Sequence, residues 1–487
     1  MGEFEIEKGP FEPTWESLRQ FECPRWFRDA KLGIWAHWGP QSVPMYGDWY
    51  ARNMYIEGHD QYLHHWRVYG HPSRVGYKDI VALWKAEKFD PEGLMDLYVA
   101  AGAKYFVAQA CHHDNFDNWN SRHHRWNAVN VGPRRDIVGL WHEAATKRGL
   151  RFGVTEHLGA TFKWFATNKG ADKSGPYAGV PYDGNEPEYE DLYLPNKGEV
   201  KEGWYTDNPW WHERWFVRMK DLIDQHQPDL FYSDGGVPFY RPGDGVRCEA
   251  PGLHIIAHLY NTSAKLHGAN EAVYTQKDKD PEVFPVGVLD IERGMEPDIV
   301  PYPWQTDTCV GGWFYDVRRR YKTPGHVITM LVNIVAKNGN LLLNFPQRPD
   351  GTLDEECTHI LECMARWVKV NGEGIYATRP WKVAGEGPRT EAEGGPFKEE
   401  PVEWTAEDFR FTSKGNVVFA FQMAWPDDGK ALIRTLADGE GQKVARVELL
   451  GHKGEVRFSQ GANGLEVELP GERPCDYAHC LRITLER

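Results

Sequence analysis

The feature that most constrains this chain is a repeated pairing of a short apolar run with an amphipathic stretch. The pairing recurs between Lys31 and Pro346 and is typical of parallel strands joined by crossover helices. Eight runs qualify as strands, and eight parallel strands close a barrel. We therefore predict a (β/α)8 barrel whose strands fall within residues 31–39, 104–113, 150–157, 229–235, 271–278, 286–294, 303–309 and 338–346.

Three of the intervening stretches begin with recognisable helix caps. Asp90-Pro91, Asp136 and Asn208-Pro209 each precede an apolar stripe at helical spacing. The first two stripes stop at Gly102 and Gly149. Each predicted helix therefore ends just before a strand candidate, as a barrel requires.

The character of the chain changes after about Thr378. Residues 383–401 are rich in Gly, Pro and Glu and indicate a connecting loop. Farther on, Leu465, Val467 and Leu469 alternate with glutamates, which is the period of a half-buried strand. We expect a catalytic barrel over residues 1–378 and a C-terminal β-sandwich, with its connecting loop, over residues 379–487.

Charge and composition narrow the choice of partners. The 487 residues include 56 basic and 71 acidic ones, for a net charge of −15. Nucleic acid and anionic membranes are therefore not expected as partners, because both bind concentrated positive potential. No apolar run approaches the roughly 18 residues of a membrane span. A homo-oligomer is compatible with this composition.

Terminal and cysteine patterns bear on the compartment. The N-terminus lacks the basic-then-apolar order of a signal peptide, so the sequence as written predicts a cytoplasmic protein. Had a leader been removed, the expectation would be a periplasmic or secreted one. The eight cysteines form no CxxC pair, which signals neither a zinc site nor a disulfide framework.

Polar residues end nearly every predicted strand, where a barrel of this kind places its active site. Two chemistries fit such a set: a metal held by His and Asp ligands, or glycoside hydrolysis by two carboxyl groups with histidines as hydrogen-bond partners. The residues are His37, Trp38, His112, His113, Asp114, Glu156, His157, Asp234, Lys277, Asp278, Glu292, Arg293, Gln305, Asp307 and Asn344.

Five long motifs resemble the family 29 glycoside hydrolases, the retaining α-L-fucosidases. They are WFRDAKLGIWAHWGPQSVPMYGDWY (26–50), CHHDNFDNWNS (111–121), NVGPRRDIV (130–138), QPDLFYSDGG (227–236) and NGNLLLNFPQRPDG (338–351). They keep the family's order over about residues 25–376, and GIYATRPW and GLEVELP extend the resemblance into the tail. It implies an exo-acting hydrolase acting on fucosylated oligosaccharides or glycoconjugates, with a barrel and a β-sandwich, no cofactor, no metal and net retention.

The resemblance also implies the catalytic pair. Asp234, in YSDGG, stands where the family has its nucleophile. Many members carry the acid/base glutamate in a WExC-like segment, but this chain has Gln305 there, in PWQTDTC. Glu292, in DIERG, resembles the acid/base of another branch of the family and is the expected proton donor. The alternatives to Glu292 are Glu296, Glu156 and Asp307.

Further residues are assigned to the sugar by the same resemblance. Those expected to bind its hydroxyl groups are His37, His112, His113 and Trp49. Asp48 stands where the family often has glutamate. At the third strand GVTEH departs from GLYYS, so Glu156 or His157 replaces the missing tyrosine. Trp313, in GGWFYD, is expected to form an apolar wall.

Three other functions stay open on the sequence alone. A retaining glycosidase for a related sugar, such as α-L-galactose, would differ only in how the pocket receives C6. A carbohydrate-binding protein that has lost catalysis is suggested by Gln305. A metal-dependent hydrolase is the third, and bound stoichiometric zinc would favour it.

Overall fold

The computed structural model describes residues 4–196, 203–389, 394–438 and 442–486. Eight parallel strands close a barrel in the order β1-β8-β7-β6-β5-β4-β3-β2. Each strand lies inside the run that predicted it, so the (β/α)8 prediction is confirmed. The strands are β1 (Leu32–Ala36), β2 (Tyr105–Gln109), β3 (Arg151–Glu156), β4 (Leu230–Ser233), β5 (Val273–Gln276), β6 (Val288–Asp290), β7 (Trp304–Cys309) and β8 (Gly339–Asn344).

Six long helices pack around this barrel. They are α1 (Pro91–Ala100), α2 (Ile137–Lys147), α3 (Pro209–His226), α4 (Ala250–His267), α5 (Pro324–Ala336) and α6 (Glu355–Asn371). The predicted caps begin the first three: the side chains of Asp90, Asp136 and Asn208 each accept a hydrogen bond from a backbone N–H of the first turn. Shorter helices lie at Trp15–Leu18, Arg25–Ala30, Tyr50–Asn53, Asp60–Val68, Tyr77–Leu83, Thr161–Trp164 and Glu190–Tyr193.

Two of the crossovers differ from the regular pattern. Residues 277–287 and 291–303, all of them described, join β5 to β6 and β6 to β7 with one short 3-10 turn at Phe284–Val286 and no α-helix. Lys277 and Glu292 lie at the beginnings of these two connections, directly after the strands. The irregular backbone there belongs to the mouth of the barrel rather than to its outer wall.

The C-terminal part is built from two antiparallel sheets, as predicted. One has the order β9-β10-β11-β16-β13 and the other β12-β15-β14. Leu465 and Val467 are buried whereas Glu466 and Glu468 are exposed, which confirms the alternating pattern. The strands are β9 (Arg379–Glu386), β10 (Phe409–Lys414), β11 (Val417–Gln422), β12 (Lys430–Ile433), β13 (Val444–Leu449), β14 (Arg457–Gly461), β15 (Gly464–Glu468) and β16 (His479–Leu485).

The division of the chain at residues 378 and 379 stays a prediction, although β9 begins at Arg379. All eight cysteines are free thiols. Among the described helices, none has both the length and the apolar character that crossing a bilayer requires.

Candidate active site

Two carboxylates meet one ammonium group at the C-terminal end of the barrel. Asp234 follows β4, Lys277 follows β5 and Glu292 lies just beyond β6. The Nζ atom of Lys277 is 2.9 Å from Oδ1 of Asp234 and 2.5 Å from Oε2 of Glu292. The two carboxylate oxygens therefore lie no farther apart than the sum of these distances. That limit fits the roughly 5–5.5 Å between the carboxyl groups of retaining glycosidases.

The surroundings push the pKa values of these two carboxyl groups in opposite directions. Burial raises the pKa of Asp234, but the Lys277 ammonium and the imidazole of His113 outweigh it and hold that pKa well below its usual range. Burial raises the pKa of Glu292, and although Lys277 opposes this, the charges of Asp307 and Asp234 add to it. One group is thus held as a carboxylate while the other favours the protonated acid.

Buried side chains of the barrel interior lie next to Lys277. Asp307 is fully buried on β7, and its Oδ2 accepts a hydrogen bond of 3.0 Å from the hydroxyl of Tyr232. The same oxygen is 3.6 Å from Nζ of Lys277. Because Asp307 is enclosed in the barrel, its geometry does not favour a role as proton donor to a substrate.

Gln305, which stands where many family members have a glutamate, lies inside the barrel. Its Nε2 donates to Oδ2 of Asp290 at 2.5 Å, and its Oε1 accepts from the hydroxyl of Tyr105 at 2.8 Å. Both ends of the amide are therefore paired within the barrel interior. Glu296, another alternative acid, is paired with Lys279 at 2.8 Å.

Three buried histidines lie opposite the charged group. One ring nitrogen from each of His37, His112 and His157 lies within 4.8 Å of the others. Burial lowers the pKa of all three, to about 3 for His157 and well below the usual value for His37 and His112. The cluster is therefore neutral at neutral pH and adds no positive charge to the pocket.

Hydrogen bonds behind two of these rings decide which nitrogen carries the proton. Oε1 of Gln41 accepts from the backbone N–H of Ala51, which turns its amide Nε2 toward Nδ1 of His112 at 2.7 Å. Neutral His112 then carries its proton on Nε2. Nδ1 of His157 lies 3.2 Å from the carbonyl of Cys111 and donates to it, leaving Nε2 as an acceptor.

This arrangement fits sugar hydroxyl groups better than a metal ion. A hydroxyl both donates and accepts, so it can use the Nε2–H of His112 and the Nε2 lone pair of His157. A three-histidine metal site needs a lone pair from each ring, whereas Gln41 already uses that of His112. The donor set of these residues does not match a resident metal.

Several buried polar atoms at the site have no hydrogen-bond partner among the described residues. Two of them, Nδ1 of His37 and Oδ1 of Asp48, belong to residues that the sequence assigns to the sugar. Burial raises the pKa of Asp48 to about 7, an effect that the nearby charges of Asp234 and Glu292 reinforce. Buried polar atoms are normally paired, so these two are suited to a polar ligand.

Aromatic and imidazole rings line the rest of the mouth. His113 donates from Nδ1 to the carbonyl of His157 at 2.6 Å, and its Nε2 is 3.3 Å from Oδ2 of Asp234. The ring of Trp49 lies 6.3 Å from that of His113, on a residue with a left-handed backbone (φ 61°). The ring of Trp313 lies 5.4 Å from that of His37.

Glu156 differs from the other candidates because protein donors occupy its carboxylate. It accepts from the hydroxyl of Ser233, from Nε1 of Trp215 at 3.0 Å and from the backbone N–H groups of Leu158 and Gly159 at 2.8 and 3.3 Å. These bonds fix the loop that follows β3. Sugar binding by Glu156 stays a prediction, and this geometry favours His157 for that place.

Three residues at the site received no role from the sequence. Lys277 lies at the end of a predicted strand, so its position could be found from the sequence. Its contacts with Asp234 and Glu292, at the ends of two other strands, could not. Gln41 follows His37 by four residues, yet its partner is His112. Trp204 donates from Nε1 to the carbonyl of Asp234 at 3.1 Å and lies on a loop with no sequence signal.

Comparisons with known proteins match this chain over most of its length. The family model Alpha-L-fucosidase matches residues 3–373, and the model Alpha-L-fucosidase C-terminal domain matches residues 403–484. The tissue alpha-L-fucosidases of Rattus norvegicus and Homo sapiens are 29% and 28% identical to the chain, and each match covers 97% of this chain and 92% of the relative.

A solved structure is similar over nearly the whole length. Thermotoga maritima alpha-fucosidase in complex with fucose superposes with a TM-score of 0.75 at 25% identity, covering 97% of this chain and 100% of that one. The family model alone spans well over half of the residues. The chain therefore belongs to the alpha-L-fucosidase family of glycoside hydrolases.

Proposed function

We propose that this chain is a retaining exo-α-L-fucosidase that releases terminal α-L-fucose from fucosylated oligosaccharides or glycoconjugates, with residues 1–378 as its catalytic unit. Asp234 is the nucleophile and Glu292 is the acid/base. The observation that carries the proposal is the placement of both carboxylates on the ammonium of Lys277, with pKa values pushed apart.

The reaction proceeds by double displacement. The carboxylate of Asp234 attacks the anomeric carbon while Glu292 gives its proton to the glycosidic oxygen, so the aglycone leaves as an alcohol and a fucosyl ester remains. Glu292, now a carboxylate, takes a proton from water as that water attacks the anomeric carbon. The bond to Asp234 breaks, and both carboxyl groups return to their initial states.

Lys277 suits both halves of this cycle. Before the first step Asp234 is negative and Glu292 is neutral. In the fucosyl ester Glu292 is negative and Asp234 is neutral. The ammonium lies within hydrogen-bond distance of both, so it faces a carboxylate before and after the first step. We assign it a role in stabilising this transfer of negative charge.

The sugar is held on the side of the histidines. His37, His112, His113 and Trp49 bind its hydroxyl groups, together with Asp48 and His157, and Trp313 forms an apolar wall. The unpaired Nδ1 of His37 and Oδ1 of Asp48 support this, because a hydroxyl would satisfy each of them. An apolar wall suits the methyl group of fucose. Selectivity for fucose over α-L-galactose depends on this wall.

Loss of catalysis is not favoured by the position of Gln305. Its amide is paired with Asp290 and Tyr105 inside the barrel, so the substitution takes no proton donor from the mouth. The acid role falls to Glu292.

Hydrolysis of 4-nitrophenyl α-L-fucoside by the wild type and by Asp234→Gly tests the proposal. We expect the variant to lose hydrolysis and, with added azide, to form fucosyl azide of β configuration, because azide enters where the carboxylate attacked. Asp207→Gly, at an exposed aspartate, is the matched control and should keep full activity. An active Asp234→Gly, or a wild type that cleaves other glycosides but not this one, would overturn the assignment.

A further inference from the structure

A segment of the connection between the two domains returns to the mouth of the barrel. Within residues 394–404, the backbone N–H of Phe397 donates to the carbonyl of Glu292 at 2.8 Å, and that of Glu399 donates to the carbonyl of Arg293 at 2.9 Å. The segment therefore pairs with the stretch of backbone that carries the proposed acid/base.

The side chain of Glu399 anchors this segment. Its carboxylate is 2.8 Å from Nζ of Lys322 and accepts a hydrogen bond of 2.6 Å from the hydroxyl of Thr308, at the end of β7. It is only 5% exposed. A buried, charge-assisted anchor of this kind fixes the segment in place.

Phe397 is unusual within this anchored segment. It is 68% exposed and has a left-handed backbone (φ 57°), a conformation that is uncommon for a residue with a bulky side chain. Single exposed apolar residues are ordinary, but strained residues concentrate at functional sites. The three residues that follow, Lys398, Glu399 and Glu400, line a cavity beside α5, whereas Phe397 is not part of that lining.

We propose that Phe397 forms the platform of an aglycone subsite and stacks against the first sugar beyond fucose. The inference rests on the proposed function, because it takes Glu292 as the proton donor. The glycosidic oxygen must approach the Glu292 carboxyl group, so the sugar attached to that oxygen lies against the rim beside Glu292. An exposed aromatic ring on this anchored backbone offers a flat surface to the apolar C–H face of a pyranose such as galactose or N-acetylglucosamine.

Three substrates separate this role from an indirect effect on Glu292. α-L-Fucosyl fluoride has no aglycone and leaves without a proton. 2-Chloro-4-nitrophenyl α-L-fucoside has an aglycone ring, and its phenolate also leaves without a proton. Fucosyl disaccharides of galactose or N-acetylglucosamine need both the aglycone contact and the acid. The variants are Phe397→Ala, Phe397→Trp, and Phe458→Ala on β14 as a control at another partly exposed phenylalanine.

We expect Phe397→Ala to lower kcat/KM roughly tenfold for the disaccharide and the aryl fucoside, the size of effect that covering one apolar ring supports. Hydrolysis of the fluoride should be unchanged, Phe397→Trp should keep disaccharide activity, and Phe458→Ala should match the wild type. An unchanged disaccharide activity in Phe397→Ala overturns the subsite, as does an equal loss on all three substrates. A loss confined to the disaccharide also overturns it, because it would trace to Glu292. A wild type that leaves the fluoride intact would instead defeat the proposed function.

Discussion

The two sides of the barrel mouth differ in how they hold their polar groups. On the side of β4 to β6, Asp234 and Glu292 are titratable, and each contacts the ammonium group of Lys277 directly. On the side of β1 to β3, His112 and His157 are neutral rings whose protons are set by burial and by the hydrogen-bond partners of their Nδ1 atoms. One side is built to move a charge and the other to present fixed donors and acceptors.

In this pocket the groups that react are separate from most of the groups that bind the sugar. Because burial keeps His37 and His112 neutral, these two rings do not compete with Lys277 for the negative charge of the two carboxyl groups. We therefore expect changes on the charged side to alter kcat and the pH profile. Changes to His37 or His112 should alter KM and leave the pH profile in place.

On the charged side, a large loss of activity should follow from Glu292→Ala. Losing the proton donor should lower kcat/KM by roughly 10²–10⁴-fold for substrates with poor leaving groups. Added azide should give fucosyl azide of α configuration, the opposite of the Asp234→Gly product, because azide then attacks the fucosyl ester. Glu296→Ala is the comparison, since Glu296 is paired with Lys279. A larger loss in Glu296→Ala would move the acid/base role to that residue.

A change in pH dependence should follow from Lys277→Met. The ammonium lowers the pKa of both Asp234 and Glu292, so its removal should raise both. Asp234 must be ionised and Glu292 protonated, so both limbs of the kcat/KM profile should move to higher pH, by about one unit or more. Lys277→Arg keeps the charge and should keep the limbs near their wild-type positions. A profile that Lys277→Met leaves in place would show that Lys277 does not set these pKa values.

A smaller effect, confined to binding, should follow from Gln41→Glu. The carboxylate can still accept from the backbone of Ala51, but it also accepts from Nδ1 of His112 and so moves the imidazole proton off Nε2. Loss of one donor to a sugar hydroxyl should raise KM about three- to tenfold, with little change in kcat. Nitrogen-15 spectra of labelled histidine report the tautomer directly. Unchanged spectra together with an unchanged KM would contradict the role given to Gln41.

Much of the fold could be predicted from the sequence, because strands buried on both faces read as plain apolar runs. The caps at Asp90 and Asp136 were equally local signals. The loss of helices between β5 and β7 had no clear marker, since an irregular connection and a short amphipathic helix share the same polar composition.

The site could be predicted only in part for a related reason. Residues at strand ends were found by position, and the family resemblance then singled out Asp234 and Glu292 among them. Their shared contact with Lys277 depends on the reach of a long side chain across neighbouring strands. The contact of Gln41 with His112 joins residues 71 positions apart, so no local pattern reports it.

The most direct test of the double displacement is the configuration of the sugar first released. Proton NMR spectra recorded during hydrolysis of an aryl α-L-fucoside, before mutarotation has advanced, distinguish the two anomers of fucose. If Asp234 and Glu292 act as nucleophile and acid/base across the Lys277 ammonium, α-L-fucose appears first and the β anomer grows in later. Initial release of β-L-fucose would mean that water attacks the substrate directly, and the roles given to both carboxyl groups would be wrong.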